Sequence, residues 1–290
     1  MKRADIMKLS SLIHKLIKKQ FCFGFFKTEI LNKITVRKNK NHQPLTLGDL
    51  RTYTMASVIN RDLEKYRNIY AGKNILIVGG GPTLKYLEIP ENCVKIGINR
   101  AYKLENIEFD YLYAQDEMPS AKEMDDFINY RPETCTKMIG ILTEPNYFKI
   151  RPGTINRMKN KLRLVLNNRN VSDSLCSVDI ASEPLMRFRG SVFAVLQFAY
   201  LTSCEKVYLA GFDCSDSGHM FTNKKEEFKL SYQKESWERM KIYRDLHFPE
   251  TEIISLNPVG LKGLFKDVYT QSYVDAHPEL LSGNIEIIKG

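Results

Sequence analysis

Three side chains capable of proton transfer or metal binding follow the apolar run that ends at residue 210. Aspartate and histidine can act as general bases, and aspartate oxygens are hard ligands that suit divalent cations. Such residues also occur as simple turn formers in glycine- and serine-containing segments. The segment therefore predicts a general base or a divalent-ion site, with a plain turn as the alternative. The three residues are Asp213, Asp216 and His219.

A glycine-rich turn follows the apolar run at residues 74–78. Glycines let a ligand approach the backbone, and proline suits the first position of a helix, so this turn can cradle a phosphate. The dinucleotide fingerprint G-x-G-x-x-G would need glycine where Leu84 stands, and Asn99 and Arg100 replace its ribose-binding acid. The pattern disfavours NAD and leaves open a turn without a ligand. The turn residues are Gly79, Gly80, Gly81, Pro82 and Thr83.

A basic segment precedes an apolar helical stretch near residue 191. It contains Arg187, Arg189, Gly190 and Ser191. Guanidinium groups and a hydroxyl at a helix N-terminus suit an anionic group such as phosphate or carboxylate. A capped helix with solvated arginines is the alternative.

Short apolar runs alternate with helical stretches from about residue 73 onward. This alternation predicts an α/β fold with a mostly parallel, doubly wound sheet. Ligands bind beyond the carboxyl ends of the strands in such sheets, so Asp116 and Asn257, which each follow a run, are also candidates. An exposed loop is the alternative at Asp116. The predicted strands are 74–78, 94–98, 111–114, 138–142, 163–166, 206–210 and 252–256, with helices near 191–203 and 226–246.

The excess positive charge lies in the first 42 residues. The formal net charge is +9, residues 1–42 hold eleven Lys and Arg against two acids, and the other 248 residues hold 32 of each sign. A globally basic surface for nucleic acid is therefore not supported. Apolar residues at helical spacing opposite lysines predict a basic amphipathic helix, which either lies on an anionic membrane surface or covers a protein surface. The apolar face comprises Ile6, Leu9, Ile13, Leu16 and Ile17, and the basic face Lys8, Lys15 and Lys19.

Several of these motifs together resemble glycosyltransferase family 42, the bacterial sialyltransferases. They also resemble the related Rossmann-like group that contains archaeal hydroxymethylpterin pyrophosphokinases and the flagellin-glycosylating motility-associated factors. The likeness covers roughly residues 73–265. It rests on residues 79–84, Asn99, the Gly190–Ser191 helix start, residues 211–213 and Asn257–Pro258.

The resemblance implies a Rossmann-like fold and a nucleotide-bound donor, with CMP-activated acidic sugars typical of the sialyltransferases. The implied positions are Gly79, Gly81 and Thr83 near the donor phosphate, Asn99 and Asp116 near ribose or sugar, and Ser191 near the sugar carboxylate. The sialyltransferases carry a catalytic histidine in a stretch that looks similar to residues 230–237, which contain none. His219 lies earlier, in a turn.

We divide the chain into a basic N-terminal segment over residues 1–42, a linker and lead-in helix over 43–72, and a Rossmann-like nucleotide-binding catalytic domain over 73–290. No run of about 18 uncharged apolar residues and no signal-peptide pattern occurs. We therefore expect a cytoplasmic protein that can associate peripherally with the inner face of the membrane. The cysteines and histidines show no paired ligand spacing, which disfavours a zinc site.

The predicted activity is a glycosyltransferase in surface polysaccharide or lipopolysaccharide assembly, without a resident metal or cofactor. It would move a sugar from a nucleotide donor to a hydroxyl of a glycan or lipid-linked acceptor. His219 or Asp213 would take the proton, and Arg187 or Arg189 would stabilise the departing phosphate.

Two other functions stay open. One is a Mg²⁺-dependent pyrophosphokinase of the hydroxymethylpterin type, in which Asp213 and Asp216 hold the ion. No Walker lysine follows the glycines, which disfavours a P-loop enzyme. The other is a non-catalytic nucleotide-binding scaffold.

Overall fold

Eight parallel strands form a single sheet. The structure is a computed structural model that describes residues 47–142, 150–167, 179–186, 188, 190–215, 218–221 and 230–288. Its strands are β1 (Asn74–Val78), β2 (Cys93–Ile98), β3 (Tyr111–Ala114), β4 (Thr136–Ile141), β5 (Lys161–Val165), β6 (Lys206–Ala210), β7 (Glu252–Leu256) and β8 (Lys266–Val268). Their order is β5-β4-β3-β2-β1-β6-β7-β8, and every pairing is parallel. The predicted α/β fold is confirmed.

Helices connect the strands. They are α1 (Leu47–Ile59), α2 (Ala121–Asn129), α3 (Pro152–Asn156), α4 (Val192–Leu201), α5 (Leu230–His247) and α6 (Gln271–Ala276), with 3-10 helices at Asn60–Tyr66, Pro82–Tyr86, Asn99–Lys103 and Pro278–Ser282. The amphipathic helix predicted in residues 1–42 lies outside the described residues. Among the described helices, none combines the length and apolar character needed to cross a membrane.

Both faces of the sheet are covered, which explains the continuous apolar runs of the sequence. Residues 75–78 of β1 are all fully buried. One face packs against α4 and α5, and the other packs against α2 and the 3-10 helices that follow β1 and β2. The sheet is therefore doubly wound.

The segment over residues 43–72 carries α1 and the first 3-10 helix. Asn60 Oδ1 accepts a hydrogen bond of 2.9 Å from the backbone N–H of Val165, and Asn60 Nδ2 donates one of 2.8 Å to the carbonyl of Glu183. Leu63 is fully buried in the core. These contacts attach the segment to the β5 edge of the sheet.

The chain changes direction across the sheet between β1 and β6. From β1 it proceeds outward to β5, and it then restarts at β6 on the other side of β1. Such a reversal is a topological switch point, where the connections on either side diverge and leave a crevice. Val78 pairs with Ala210, so the turns after β1 and β6 leave the sheet side by side.

The structure differs from the sequence prediction mainly at β8. This strand has three residues, and only Val268 is buried among them, so it lacks a recognisable apolar run. The bounds of the other strands differ from the predicted ones by at most two residues. The described part of α5 begins at Leu230, and residues 226–229 of the predicted helix lie outside the described part of the chain.

Candidate functional site

Backbone hydrogen bonds join the turns that follow β1 and β6. The N–H of Gly79 donates to the carbonyl of Ala210 at 2.8 Å. The N–H groups of Gly80 and Gly81 both donate to the carbonyl of Gly211, at 3.1 and 2.8 Å. All three glycine amides are therefore engaged within the protein, and a phosphate cradle built from these amides does not exist in this conformation.

The glycines permit a close approach of the protein's own side chains. A Cβ atom built on Gly80 would overlap the imidazole ring of His219, and one built on Gly81 would lie 2.5 Å from Asp213 Oδ1. Real Cβ atoms do not come this close to a neighbouring oxygen, so glycine is required here for packing. The sequence suggested that a ligand uses this space, whereas the structure fills it with two of the predicted catalytic residues.

The Asp213 carboxyl group is buried and bonded through both oxygens to Thr83. The backbone N–H of Thr83 donates to Oδ2 at 2.9 Å, and its hydroxyl donates to Oδ1 at 2.5 Å. Asp213 is 6% exposed. Burial raises the pKa of the Asp213 carboxyl above its usual value, although the Thr83 hydrogen bonds and the charge of His219 act in the opposite direction. A carboxyl with a raised pKa suits proton transfer.

His219 lies over Gly80 beside this carboxyl. The next residue, Met220, donates its backbone N–H to the carbonyl of Gly80 at 2.8 Å, which fixes the segment on the glycine turn. His219 Nδ1 accepts a hydrogen bond of 3.3 Å from the backbone N–H of Phe221. In the neutral ring this contact places the proton on Nε2, the atom that faces Gly80. Asp213, His219 and Thr83 thus meet at the switch point.

The residues predicted after β2 also lie at the carboxyl ends of the strands. Val78 pairs with Gly97, so Asn99 leaves β2 at about the level of Gly80, with a φ of +53°. The guanidinium group of Arg100 forms an ion pair with Glu123 of α2, with Nη2 3.0 Å from Oε2. Arg100 is therefore engaged with α2. Asn99, the first residue of the 3-10 helix after β2, lies at about the level of the glycine turn.

The residues predicted after β3 and β7 have different surroundings. Asp116 is exposed beyond the end of β3. Asn257 is only 3% exposed, and its side chain both accepts a 2.9 Å hydrogen bond from the Thr270 N–H and donates one of 3.0 Å to the Thr270 hydroxyl. The Asn257 amide therefore joins β7 to the start of α6, and a ligand cannot use it without breaking these bonds.

The predicted anion-binding segment is described in part. Gly190 is exposed, and Ser191 precedes α4 without a side-chain capping hydrogen bond among the described residues. Because α4 leads into the parallel strand β6, its N-terminus lies at the carboxyl ends of the strands.

Aromatic rings pack α4 against the segment after β6. Phe193 of α4 contacts Trp237 at 4.9 Å between ring centroids, and Phe212 contacts the same indole at 5.7 Å. Three predicted site residues lie outside the described residues, namely Arg187, Arg189 and Asp216.

Helix α6 borders the same site and escaped the sequence analysis. The ring of Tyr273 packs edge-on against Tyr86, with centroids 5.2 Å apart, and Tyr86 belongs to the same 3-10 helix as Thr83. The sequence did contain one signal for this helix, because aromatic rings recur every fourth residue at Tyr269, Tyr273 and His277.

Within the described ranges, no group of three or more His, Cys, Asp or Glu side chains is arranged to hold a metal ion.

The arrangement provides a buried carboxyl with a raised pKa and a half-buried imidazole between the ends of β1 and β6, the place where ligands of doubly wound sheets bind. This pair can accept a proton from a polar group bound there and return it.

No protein-family model matches the chain, and the curated proteins with which it was compared include no match.

Proposed function

We propose that this protein is a glycosyltransferase that moves a sugar from a nucleotide donor to a hydroxyl group of a glycan or lipid-linked acceptor. The observation that carries the proposal is the meeting of Asp213, Thr83 and His219 at the switch point. Ligands of doubly wound sheets bind in such crevices. The sequence resemblance adds the donor class, with CMP-activated acidic sugars as the first to test.

The proposed reaction needs a base for the acceptor hydroxyl and a stabiliser for the departing nucleotide phosphate. His219 or Asp213 takes the hydroxyl proton as the oxygen forms its bond to the sugar. The bond between the sugar and the phosphate oxygen breaks, and the phosphate keeps the electron pair. The N-terminus of α4, with Arg187 and Arg189 before it, stabilises the charge that develops on this phosphate.

The contacts of Asp213 favour this activity over the magnesium-dependent pyrophosphokinase. Magnesium binds ionised carboxylates and needs oxygen lone pairs directed at the ion. Both Asp213 oxygens accept hydrogen bonds from Thr83, and burial raises the pKa of the carboxyl. These two features suit proton transfer better than metal binding.

Donor turnover with and without a chelator tests the proposal. We expect chelator-insensitive release of CMP from a CMP-sugar, and a large loss of turnover in the variants Asp213→Asn and His219→Ala. The matched controls are Asp245→Asn and His247→Ala at the C-terminal end of α5. This helix leads into β7, so its C-terminal end lies at the amino ends of the strands, opposite the candidate site. Magnesium-dependent use of ATP would support the pyrophosphokinase instead, and an inert protein would support the scaffold.

We further propose that the basic segment over residues 1–42 brings the enzyme to an anionic membrane surface that carries a lipid-linked acceptor. Its eleven basic residues against two acids, with apolar residues at helical spacing, support this idea. Replacing Lys8, Lys15 and Lys19 with Glu should abolish co-sedimentation with anionic vesicles. The same change at the exposed Lys65, Lys73 and Lys122 should preserve it, and equal losses would contradict the idea.

A further inference from the structure

Gln115 is a buried carboxamide directly after β3, at the carboxyl ends of the strands. It is 7% exposed, and its Oε1 atom accepts a hydrogen bond of 3.4 Å from the hydroxyl group of Tyr113. Within the part of the chain that the structure describes, its Nε2 group donates to no acceptor. Buried amide groups are normally hydrogen-bonded, so this donor is available to an acceptor from outside the protein.

A glycine in the neighbouring strand β4 makes room for this side chain. A Cβ atom built on Gly140 would overlap the Tyr113 hydroxyl group and would lie 3.2 Å from Gln115 Cγ. It would also lie 3.0 Å from Leu166, which packs with Tyr113 in the core on the α4 face of the sheet. The Gln115 side chain therefore lies on the same face of the sheet as α4.

The strand register relates Gln115 to the glycine turn. The pairings of β1 with β2 and of β2 with β3 place Gln115 at about the level of Gly81, two strands away. Adjacent strands lie about 4.8 Å apart, so the two residues are about 10 Å apart across the sheet. This separation is comparable with the length of a nucleoside monophosphate.

The proposed reaction determines which part of the donor can reach Gln115. The bond between sugar and phosphate must lie beside Asp213 and His219, next to the glycine turn, and the phosphate faces the N-terminus of α4. The rest of the nucleotide then extends along the carboxyl ends of the strands, on the face that carries both α4 and Gln115. The base is the part farthest from the reacting bond, and every nucleobase carries ring nitrogens or carbonyl oxygens that accept hydrogen bonds.

We propose that Gln115 is a specificity-determining residue, which donates a hydrogen bond from Nε2 to an acceptor atom of the nucleobase. The inference deepens the proposed function and rests on it for the direction in which the nucleotide lies. The Tyr113 hydroxyl group engages Oε1, so the amide presents its N–H groups to the ligand. Gln115 thereby acts on the affinity for the base and not on the affinity for the sugar phosphate.

Calorimetric titration of the full chain with CMP, UMP, AMP, GMP and ribose 5-phosphate tests this assignment. We expect at least one nucleotide to bind wild type more tightly than ribose 5-phosphate, which lacks a base. Gln115→Met keeps the length of the side chain and removes its amide. It should weaken that nucleotide about three- to tenfold, the worth of one hydrogen bond, and leave ribose 5-phosphate unchanged.

Gln271→Met is the matched control, because Gln271 is exposed at the start of α6 and should leave both affinities unchanged. An unchanged nucleotide affinity in Gln115→Met, or an equal weakening of nucleotide and ribose 5-phosphate, would overturn the proposal. A wild-type protein that binds every nucleotide no more tightly than ribose 5-phosphate would overturn it as well.

A second variant covers the case in which Gln115→Met does not fold. Gln115→Asn keeps the amide and withdraws it by one methylene group, so the ratio of nucleotide affinity to ribose 5-phosphate affinity should fall. A ratio equal to that of wild type refutes the assignment. A wild-type protein that binds the base through Gln115 but transfers no sugar would instead refute the proposed glycosyltransferase and support the subsite.

Discussion

At the scale of single residues, the site is governed by opposing effects on Asp213. Burial favours the neutral carboxyl, while two hydrogen bonds from Thr83 and the charge of His219 favour the ionised form. Burial is the larger effect, so the carboxyl keeps its proton to a higher pH than an exposed aspartate does. The protein thereby holds a carboxyl that takes up a proton more readily than an exposed aspartate does, at some cost to the stability of the fold when the carboxyl is ionised.

We predict that Asp213→Asn becomes more stable relative to wild type as the pH rises. The folded pKa of Asp213 is raised, so its stabilising contribution is complete below the unfolded value of about 3.9 and is lost as pH rises through the folded pKa. Asn keeps the geometry, because its oxygen can accept from the Thr83 N–H and its amide can donate to the Thr83 hydroxyl. Melting temperatures measured across acidic to neutral pH check this.

The matched comparison is Asp213→Ala. Alanine leaves the N–H and hydroxyl of Thr83 buried without an acceptor, which should cost about 1–3 kcal/mol of unfolding free energy. If Asn and Ala lowered the melting temperature equally at every pH, the hydrogen bonds between Asp213 and Thr83 would not have the role assigned to them.

A second prediction concerns the packing of His219 on Gly80. A methyl group in Gly80→Ala overlaps the imidazole, and such overpacking costs about 1–3 kcal/mol. In a His219→Ala background the ring is gone, so the same substitution should cost much less. Denaturant unfolding of the two single variants and the double variant gives the coupling energy.

Gly153→Ala is the control for that cycle, because a Cβ atom at Gly153 has no neighbour within 4 Å. Because Gly153 lies in α3, the substitution should raise stability slightly, by up to about 1 kcal/mol, and by the same amount in both backgrounds. Strictly additive costs of Gly80→Ala and His219→Ala would show that the two residues are not in contact.

At the scale of elements, the carboxyl ends of β1, β6 and β7 are joined into one unit. The turns after β1 and β6 share backbone hydrogen bonds, and the N–H of Gly260 after β7 donates to the carbonyl of Asp213 at 2.7 Å. Asn257 extends the unit to α6 through Thr270. The side chains of the candidate site are thus placed by links between distant parts of the chain.

We predict that Asn257→Ala is clearly more destabilising than Asn92→Ala. Both asparagines adopt a left-handed backbone, with φ values of +51° and +52°, so alanine is strained at either position. Asn92 is exposed, whereas Asn257 is buried and supplies the acceptor for the Thr270 N–H. The difference in unfolding free energy should be about 1–3 kcal/mol, and similar losses in urea titrations of both variants would contradict the assigned link.

At the scale of the whole molecule, the candidate site depends on the strand order. Placing β6 next to β1 brings Gly79 beside Gly211 and Thr83 beside Asp213. A sheet with β6 elsewhere would separate the glycine turn from both predicted acid–base residues. The crevice is therefore a property of the topology, and no single motif forms it.

This dependence explains what could be predicted from the sequence. Seven strands were predictable because each contains an apolar run. Most of their residues are buried, although Lys161 and Arg163 of the edge strand β5 are exposed. The contact between His219 and Gly80 could not be predicted, because local sequence patterns do not encode which strands become neighbours. Tyr273 escaped prediction since α6 follows β8, whose three residues Lys266–Val268 have no recognisable strand pattern. Asn257 was found as a strand-end residue, but its pairing with Thr270 required the fold.

The most direct test of a nucleotide site in this crevice is thermal stabilisation by CMP, CDP, UDP, GDP, ADP and ATP. A ligand at about 100 times its dissociation constant adds about 2.7 kcal/mol of stability. We predict a selective shift with CMP in wild type and in Gly153→Ala, and a much smaller one in Gly80→Ala, where the added methyl group displaces His219. No shift with any nucleotide, a selective shift with ATP, or an equal CMP shift in Gly80→Ala would contradict the account.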